Sequence, residues 1–415
     1  MTDLDGARLL RRLDELAAIG ATPSGGVTRL AYSAQDVAGR ELVAGWLREA
    51  GLSTGVDVAG NLLGRLPGTA GGGPALGTGS HLDSVVEAGP LDGAYGVVAA
   101  VEVAAALAAS GGLTHDLLVV GFSNEEGARG TPGMVGSLAA AGALTADQLA
   151  APDDEGVPLA RRLRDVGGDP DAIGTAAWRP GDLAGWLELH IEQGPVLAAE
   201  GIRIGVVSAI TGRVTLDVVI AGAANHAGTT PMALRRDAGV AAAHVVLAVR
   251  ELALSGAVRV ATTGVLRAEP GVRNVVAGRA VVGVDLRDED DARIDAAVDT
   301  LRVWATDIAE RTGTSVEVVF GSRIHAVPMD DRLVGCVADA ADQLGLSRTG
   351  LPSGAGHDTQ VIAPLMPVGM LFVPSIGGVS HAPDERSAPE DLVDGARTLL
   401  AALRLADNRL REGSR

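Results

Sequence analysis

Residues 78–96, TGSHLDSVVEAGPLDGAYG, set His81 and Asp92 eleven positions apart, between an apolar ALG run and a helix-like run, VVAAVEVAAALAA. That context places both side chains on loops at the end of a strand. In an open α/β sheet, such loops collect ligands and metals, because a rigid scaffold holds reaching side chains there. One His and one Asp fit a polar turn equally well. Three further segments repeat the strand-then-loop context: FSNEEG at 122–127, LELHIEQGP at 187–195 and GGVSHAPDE at 377–385. Imidazole and carboxylate together suit zinc, manganese or cobalt, and no cysteine lies near any of the four.

The 415 residues suffice for about two domains. Hydrophobic residues make up 47% of the chain and aromatics 2%, so Ala, Val and Leu fill the core, with Gly allowing close approach. All cationic side chains are Arg. A net charge of −18 argues against a polyanion and so against nucleic acid. The single cysteine, Cys336, lies in VGCVADAA on an apolar helical face, which reads as a buried inert thiol rather than a nucleophile. Acidic residues interrupt the first twenty positions, unlike a signal peptide, and no apolar run is long enough for a membrane span. A cytoplasmic enzyme is the expectation.

Leu9, Leu13, Leu16 and Ala17 give a helical stripe. Ser33 with Asp36 resembles a capping box for a helix ending at Gly51. Short strands follow in VDVAGNLLGRL and PALGTGSH, then a helix over 95–109 and a doubly buried strand, HDLLVVGFS. Residues 145–182, acidic and punctuated by Pro and Gly, read as surface helices and loops, and GWLELHIEQ and IRIGVVSAI as strands. After Thr211 the pattern becomes strand, long helix (232–254), two strands, helix and strand, the β-α-β-β-α-β order of a ferredoxin-like unit. The fold class is therefore α/β: a sheet domain over 1–211 and 323–415 with an inserted ferredoxin-like α+β domain over 212–322. A helix over 330–344, a strand near 367–373 and a helix after Pro389 complete the sheet domain.

GSHLDS, LDGAYGV, FSNEEGARG, LELHIEQGP, NHAGTTPM, SGAGHDTQ and PSIGGVSHAPDE occur in this order from residue 79 to 385. Together they resemble the dinuclear metal amidohydrolases of the aminoacylase/carboxypeptidase superfamily. LELHIEQGP with NHAGTTPM points to the branch of N-carbamoyl-amino-acid hydrolases, β-ureidopropionases and allantoate amidohydrolases. The resemblance implies two divalent ions (Zn, Mn or Co) per subunit. His81, Asp92 and His190 would hold one, and Asp92 would bridge to a second held by Glu126 and His381. A carboxylate suits the bridge because its two oxygens can be shared between ions about 3.5–4 Å apart. Asp83 would orient a ligand imidazole; a surface Asp in a turn is the alternative. Glu125 would be general base and acid.

Substrate contacts implied by the resemblance are Asn274 and Arg287 for a carboxylate, which a guanidinium fork fits bidentately, with Gln193 and His357 lining the pocket. For Arg287, a surface ion pair with Asp288 or Glu289 competes. His226 would be contributed by the partner subunit's lid to stabilise an oxyanion. The inserted domain would serve as lid and dimerisation domain, making the protein a homodimer. His115, His244 and His325 read as ordinary residues. Two departures border the pocket: AGPL between Glu87 and Asp92 where the family usually has a polar or basic residue and an aromatic, and Gly130 where Phe is common. Both bear on substrate size rather than metal. The reading is a hydrolase removing the carbamoyl group of N-carbamoyl amino acids, with allantoate and then N-acyl-amino-acid or dipeptide hydrolysis behind it. A catalytically silent binding protein of the same fold would need neither Glu125 nor five ligands.

Overall fold

The computed structural model describes residues 4–412 and divides into two compact units, Met1–Ser208 with Met329–Arg415, and Ala209–Pro328. In the first, a mixed sheet is built from β1 (Ser53–Val56), β2 (Leu62–Leu66), β3 (Ala75–His81), β4 (Leu117–Phe122), β5 (Leu183–Ile191) and β6 (Ile204–Ile210). The second unit supplies β7 (Gly212–Ala221), β8 (Val260–Glu269), β9 (Arg279–Asp288), β10 (Ser315–Ile324) and the two-residue β11 (Val327–Pro328). β12 (Arg348–Ser353) and β13 (Val368–Val373) return to the first.

The large sheet runs β1-β2-β4-β3-β5-β13-β6, with β12 also against β6. Its centre, β4-β3-β5-β13, is parallel, and β2 and β6 flank it antiparallel. Every residue of β3 and β13 is buried, as a strand covered on both faces requires. The helix Ala94–Ala109, almost wholly Ala, Val and Gly, packs on this sheet with nearly every side chain buried. Its small residues let it lie close: a Cβ at Gly96 would sit 2.3 Å from the Leu189 carbonyl. Glu102 on this helix is fully buried but receives Arg12 Nη1 at 2.7 Å and Arg8 Nη2 at 2.8 Å, tying the Gly6–Ala17 helix to it. Removing one partner of such a buried pair typically costs about 3–5 kcal/mol.

The second unit follows the order strand β7, helix Ala238–Leu254, strands β8 and β9, helix Asp291–Thr312, strand β10, in an antiparallel sheet β10-β7-β9-β8. Alternate residues Val214, Leu216, Val218 and Ile220, with Val282, Val284 and Leu286, form one core with both helices. This is the ferredoxin-like unit expected from the strand and helix periods.

Several local expectations need correction. Ser33 Oγ accepts the Asp36 N–H at 3.2 Å, but the Asp36 carboxylate turns to the Tyr32 N–H at 2.8 Å and to Arg40, so the box is not reciprocal. The stretch 232–254 is not one helix. Met232–Leu234 forms a single turn after Pro231, Arg235 is extended, and Asp237 caps a new helix at Gly239 and Val240. Within 145–182, Leu159 and Leu163 are fully buried against Tyr32 and Val135 rather than lying on the surface. β12 was hidden by Gly350 and Pro352, residues that a sheet tolerates at its edge. Among the described residues, no helix is long and apolar enough to cross a membrane.

Candidate metal centre

Four parallel strands deliver the site from their carboxyl ends. His81 is the last residue of β3, Glu125 and Glu126 follow β4, His190 lies near the end of β5, and His381 follows β13. Asp92 comes from the loop between β3 and the Ala94–Ala109 helix. Parallel strands share one carboxyl edge, so residues 300 positions apart in sequence converge there.

Asp92 is the hub. Its Oδ1 lies 3.1 Å from His190 Nε2 and 3.6 Å from His81 Nε2, and its Oδ2 lies 3.0 Å from His381 Nε2. Glu126 Oε2 is 3.6 Å from His381 Nε2, and Glu125 Oε2 is 3.8 Å from His81 Nε2. Two trios result whose donor atoms lie within 4.8 Å of one another: His81, Asp92 and His190, and Asp92, Glu126 and His381. At Gly93, with φ of +61°, a Cβ would fall 2.4 Å from the His81 ring, so only glycine allows the turn to abut the imidazole.

The donor set fits metal ions. His81 Nδ1 faces the Asp83 carbonyl at 3.0 Å and His190 Nδ1 the Ile191 carbonyl at 2.9 Å. A carbonyl only accepts, so each Nδ1 carries the proton and each Nε2 offers a lone pair. The Gly93 N–H donates to His190 Nε2 at 3.1 Å, in agreement. Those lone pairs face Asp92 oxygens, an arrangement of acceptors that calls for a cation between them. Glu126 Oε1 is buried without a hydrogen-bond partner, a second sign of a missing positive charge.

The electrostatics agree. Burial alone would lower the pKa of His81, yet the carboxylates of Glu125, Asp92 and Asp83 hold it well above the usual imidazole value. His381 is raised to about 9, chiefly by its hydrogen bond to Asp92. Asp92 is held well below the carboxylate range, because three imidazoles overturn the effect of burial. Burial pushes Glu126 up to about 7 and Glu125 well above its ordinary value. In the metal-free chain the imidazoles thus take up protons to meet these carboxylates, and a divalent cation would supply the same positive charge while leaving each Nε2 lone pair free to bind it.

Asp83 orients His81 through its main chain, not its carboxylate, whose Oδ1 is 3.9 Å from Nδ1. The carboxylate instead accepts the N–H of Glu125 at 3.1 Å and of Glu126 at 3.2 Å. Gln193, at φ +56°, donates Nε2–H to Asp92 Oδ2 at 2.8 Å, so it touches the carboxylate common to both trios directly. His357 is buried, 4.7 Å from His190 between ring centroids, and burial holds its pKa well below the usual value, so it is neutral. Sequence reading did not single out Ser380, Glu385, Glu188 or Asp358. Ser80 and Thr359 hydroxyls donate to the buried Glu188. Asp358, raised to about 8 by burial and then by Glu188, accepts from Ser137.

In the second unit, His226 pairs with Val275 as an isolated bridge, and the Ala227 N–H donates to the Asn274 carbonyl at 2.8 Å, so the His226 and Asn274 segments lie side by side. His226 Nδ1 accepts the N–H of Gly228 at 3.1 Å and of Thr229 at 3.3 Å, which leaves the proton on Nε2. Arg287 lies on β9 with its Nε 2.9 Å from Asp285 Oδ1. Asp285, two residues back on the same strand face, is thus a further competing acid beside the expected Asp288 or Glu289, and Asp288 is engaged by Arg293.

Residues 77–405 match Peptidase family M20/M25/M40. The N-carbamoyl-L-amino acid amidohydrolase of Geobacillus stearothermophilus is 42% identical over 397 residues, covering 95% of this chain and 97% of that one. The allantoate amidohydrolase of Bacillus subtilis (strain 168) is 36% identical, over 93% of this chain and 94% of that one. Among solved structures, a hydantoinase/carbamoylase family amidase from Burkholderia ambifaria superposes with a TM-score of 0.91 at 40% identity, covering 98% of each chain.

Proposed function

The chain belongs to Peptidase family M20/M25/M40, in its hydantoinase/carbamoylase branch, and from that premise we propose that it hydrolyses the carbamoyl C–N bond of N-carbamoyl amino acids, releasing ammonia, carbon dioxide and the amino acid. The observation that carries the reading is the pair of trios sharing Asp92, with Glu125 beside them. His81, Asp92 and His190 would hold one divalent ion, and Asp92, Glu126 and His381 a second, of Zn, Mn or Co. Bound there, the ions would polarise the carbonyl and acidify water.

Glu125 takes the proton of the attacking water and returns it to the leaving nitrogen. Its raised affinity for a proton, caused first by burial, suits a group that must hold one between the two transfers. His226, with its proton fixed on Nε2, donates to the oxyanion of the tetrahedral intermediate. Arg287 and Asn274 take the substrate carboxylate, and Gln193 and His357 line the pocket. The same proposal includes a homodimer in the cytoplasm, where a reducing environment suits the lone buried thiol of Cys336.

Allantoate is the second reading, favoured by the Bacillus subtilis relative. Ammonia release measured across N-carbamoyl amino acids, ureidopropionate and allantoate decides between them. Turnover should vanish on chelation and return with Mn²⁺, Zn²⁺ or Co²⁺. Full activity in metal-free protein, or none on any N-carbamoyl amino acid, would reject the proposal.

A further inference from the structure

Glu385 stands outside both trios, yet it is 1% exposed and its carboxylate joins the loops that carry them. Oε1 accepts the N–H of Leu91 at 2.9 Å and of Asp92 at 3.0 Å, and Oε2 accepts Ser380 Oγ at 2.8 Å. The Glu385 N–H donates to the Ala382 carbonyl at 3.0 Å, so Glu385 closes a turn that begins next to His381. The facing loop is shaped to admit it. A Cβ at Gly89 would lie 2.2 Å from Glu385 Cβ and 2.4 Å from Oε1, closer than real side chains approach.

We infer that Glu385 is a positioning residue that holds Asp92 and His381 at the separation needed for the ion they share with Glu126. The inference rests on the metal-dependent reading above. Asp92 and His381 come from loops nearly 300 residues apart, and their 3.0 Å approach depends on what locks those loops together. The Glu385 carboxylate does so by accepting two buried main-chain N–H groups that have no place in a helix or sheet. Without it those groups must seek other partners and the 91–92 turn shifts. His81 and His190, fixed at the ends of β3 and β5, do not depend on this tether, so in their trio only Asp92 would move, whereas the other trio would lose the placement of both Asp92 and His381. A glutamine keeps an oxygen able to accept both N–H groups and an amide able to donate to Ser380, so the work is geometric and does not require the charge.

Co²⁺ titration of the metal-stripped full chain, followed by visible absorption and calorimetry, tests this. His381→Ala and His190→Ala assign the two binding steps. Glu385→Ala should weaken the His381-dependent step by about 10- to 100-fold, the usual effect of removing a group that orients a ligand, and weaken the His190-dependent step, which shares only Asp92 with it, markedly less. Glu385→Gln should bind as wild type. Gly89→Ala, which displaces Glu385 without deleting it, should reproduce the selective loss and carries the test if Glu385→Ala fails to fold. Wild-type binding of both ions in Glu385→Ala and Gly89→Ala, equal weakening of both steps, or a Glu385→Gln as weak as the alanine would overturn the inference. A wild-type chain that takes up no Co²⁺ would overturn the metal-dependent reading instead.

Discussion

The carboxylate of Asp83 accepts the main-chain N–H groups of Glu125 and Glu126, while the carbonyl of the same residue receives His81 Nδ1. One residue thus fixes a metal-competent imidazole from β3 and the acidic pair that follows β4. Asp83→Asn would leave the carbonyl contact intact but turn an amide NH₂ toward one of the two N–H groups. At a site 2% exposed, leaving a buried donor unsatisfied costs about 1–3 kcal/mol. We expect that loss in urea unfolding together with a lower kcat; a variant with wild-type stability and kcat would show that Asp83 does not position the pair.

Glu125→Gln keeps size and backbone while removing the proton acceptor. It should retain metal and fold, yet lose about 10²- to 10⁴-fold in kcat, the range general acid–base catalysis supplies. A normal kcat would remove Glu125 from the mechanism.

Proton affinities in the cluster set a pH dependence. In the metal-free chain, the His381–Asp92 pair raises His381 from 6.5 to about 9, so its stabilising contribution is complete below 6.5 and is lost as pH climbs through about 9. Burial raises Glu126 from 4.5 to about 7, so ionising it in the fold is unfavourable and stability falls as pH climbs through that window. Both trends run the same way. Metal requires deprotonated ligands, so its stabilisation grows with pH. The gap in Tm between metal-loaded and chelator-treated protein should therefore widen from about pH 6 to about pH 9, as differential scanning calorimetry can show. A gap that stays constant or narrows would contradict this assignment.

The residue types at the ends of β3, β4, β5 and β13 were legible because metal chemistry demands His, Asp and Glu, and the strand-then-loop context marks where they cluster. The ferredoxin-like unit was legible because its alternation of two- and 3.6-residue periods is regular. Glu385 was not. It lies in the quoted GGVSHAPDE segment, but its partners are main-chain groups nearly 300 residues earlier, and no pattern of side chains records a main-chain contact. The dual use of Asp83 escaped for the same reason. The Asp285–Arg287 pair required the strand register, since residues i and i+2 share a face only once the segment is extended.

That pair bears on recognition. Arg287 Nε and Nη2 already engage Asp285, so a substrate carboxylate must compete with it or share the guanidinium. Arg287→Lys keeps charge and loses the fork, and KM should rise with a smaller change in kcat. Substrates with an amidated carboxylate should be poor; if they are hydrolysed as well as the free acids, Arg287 does not bind the carboxylate.

His226 offers a sharper separation of roles. Its Nδ1 is committed to two main-chain N–H groups, so Nε2–H is the donor available to an oxyanion, and losing one such donor typically lowers kcat by about 10²- to 10³-fold. His226→Ala should show that loss with metal content unchanged, since His226 belongs to neither trio. Mixing it with Glu125→Gln asks whether the active sites of the proposed homodimer are shared between subunits. If one subunit's His226 serves the other's Glu125, each mixed dimer has one site with both lesions and one with neither. Random exchange makes half the dimers mixed, so activity should recover to about a quarter of wild type. With exchange confirmed by labelled subunits, no recovery would mean that His226 serves its own chain, and wild-type kcat in His226→Ala alone would remove it from catalysis.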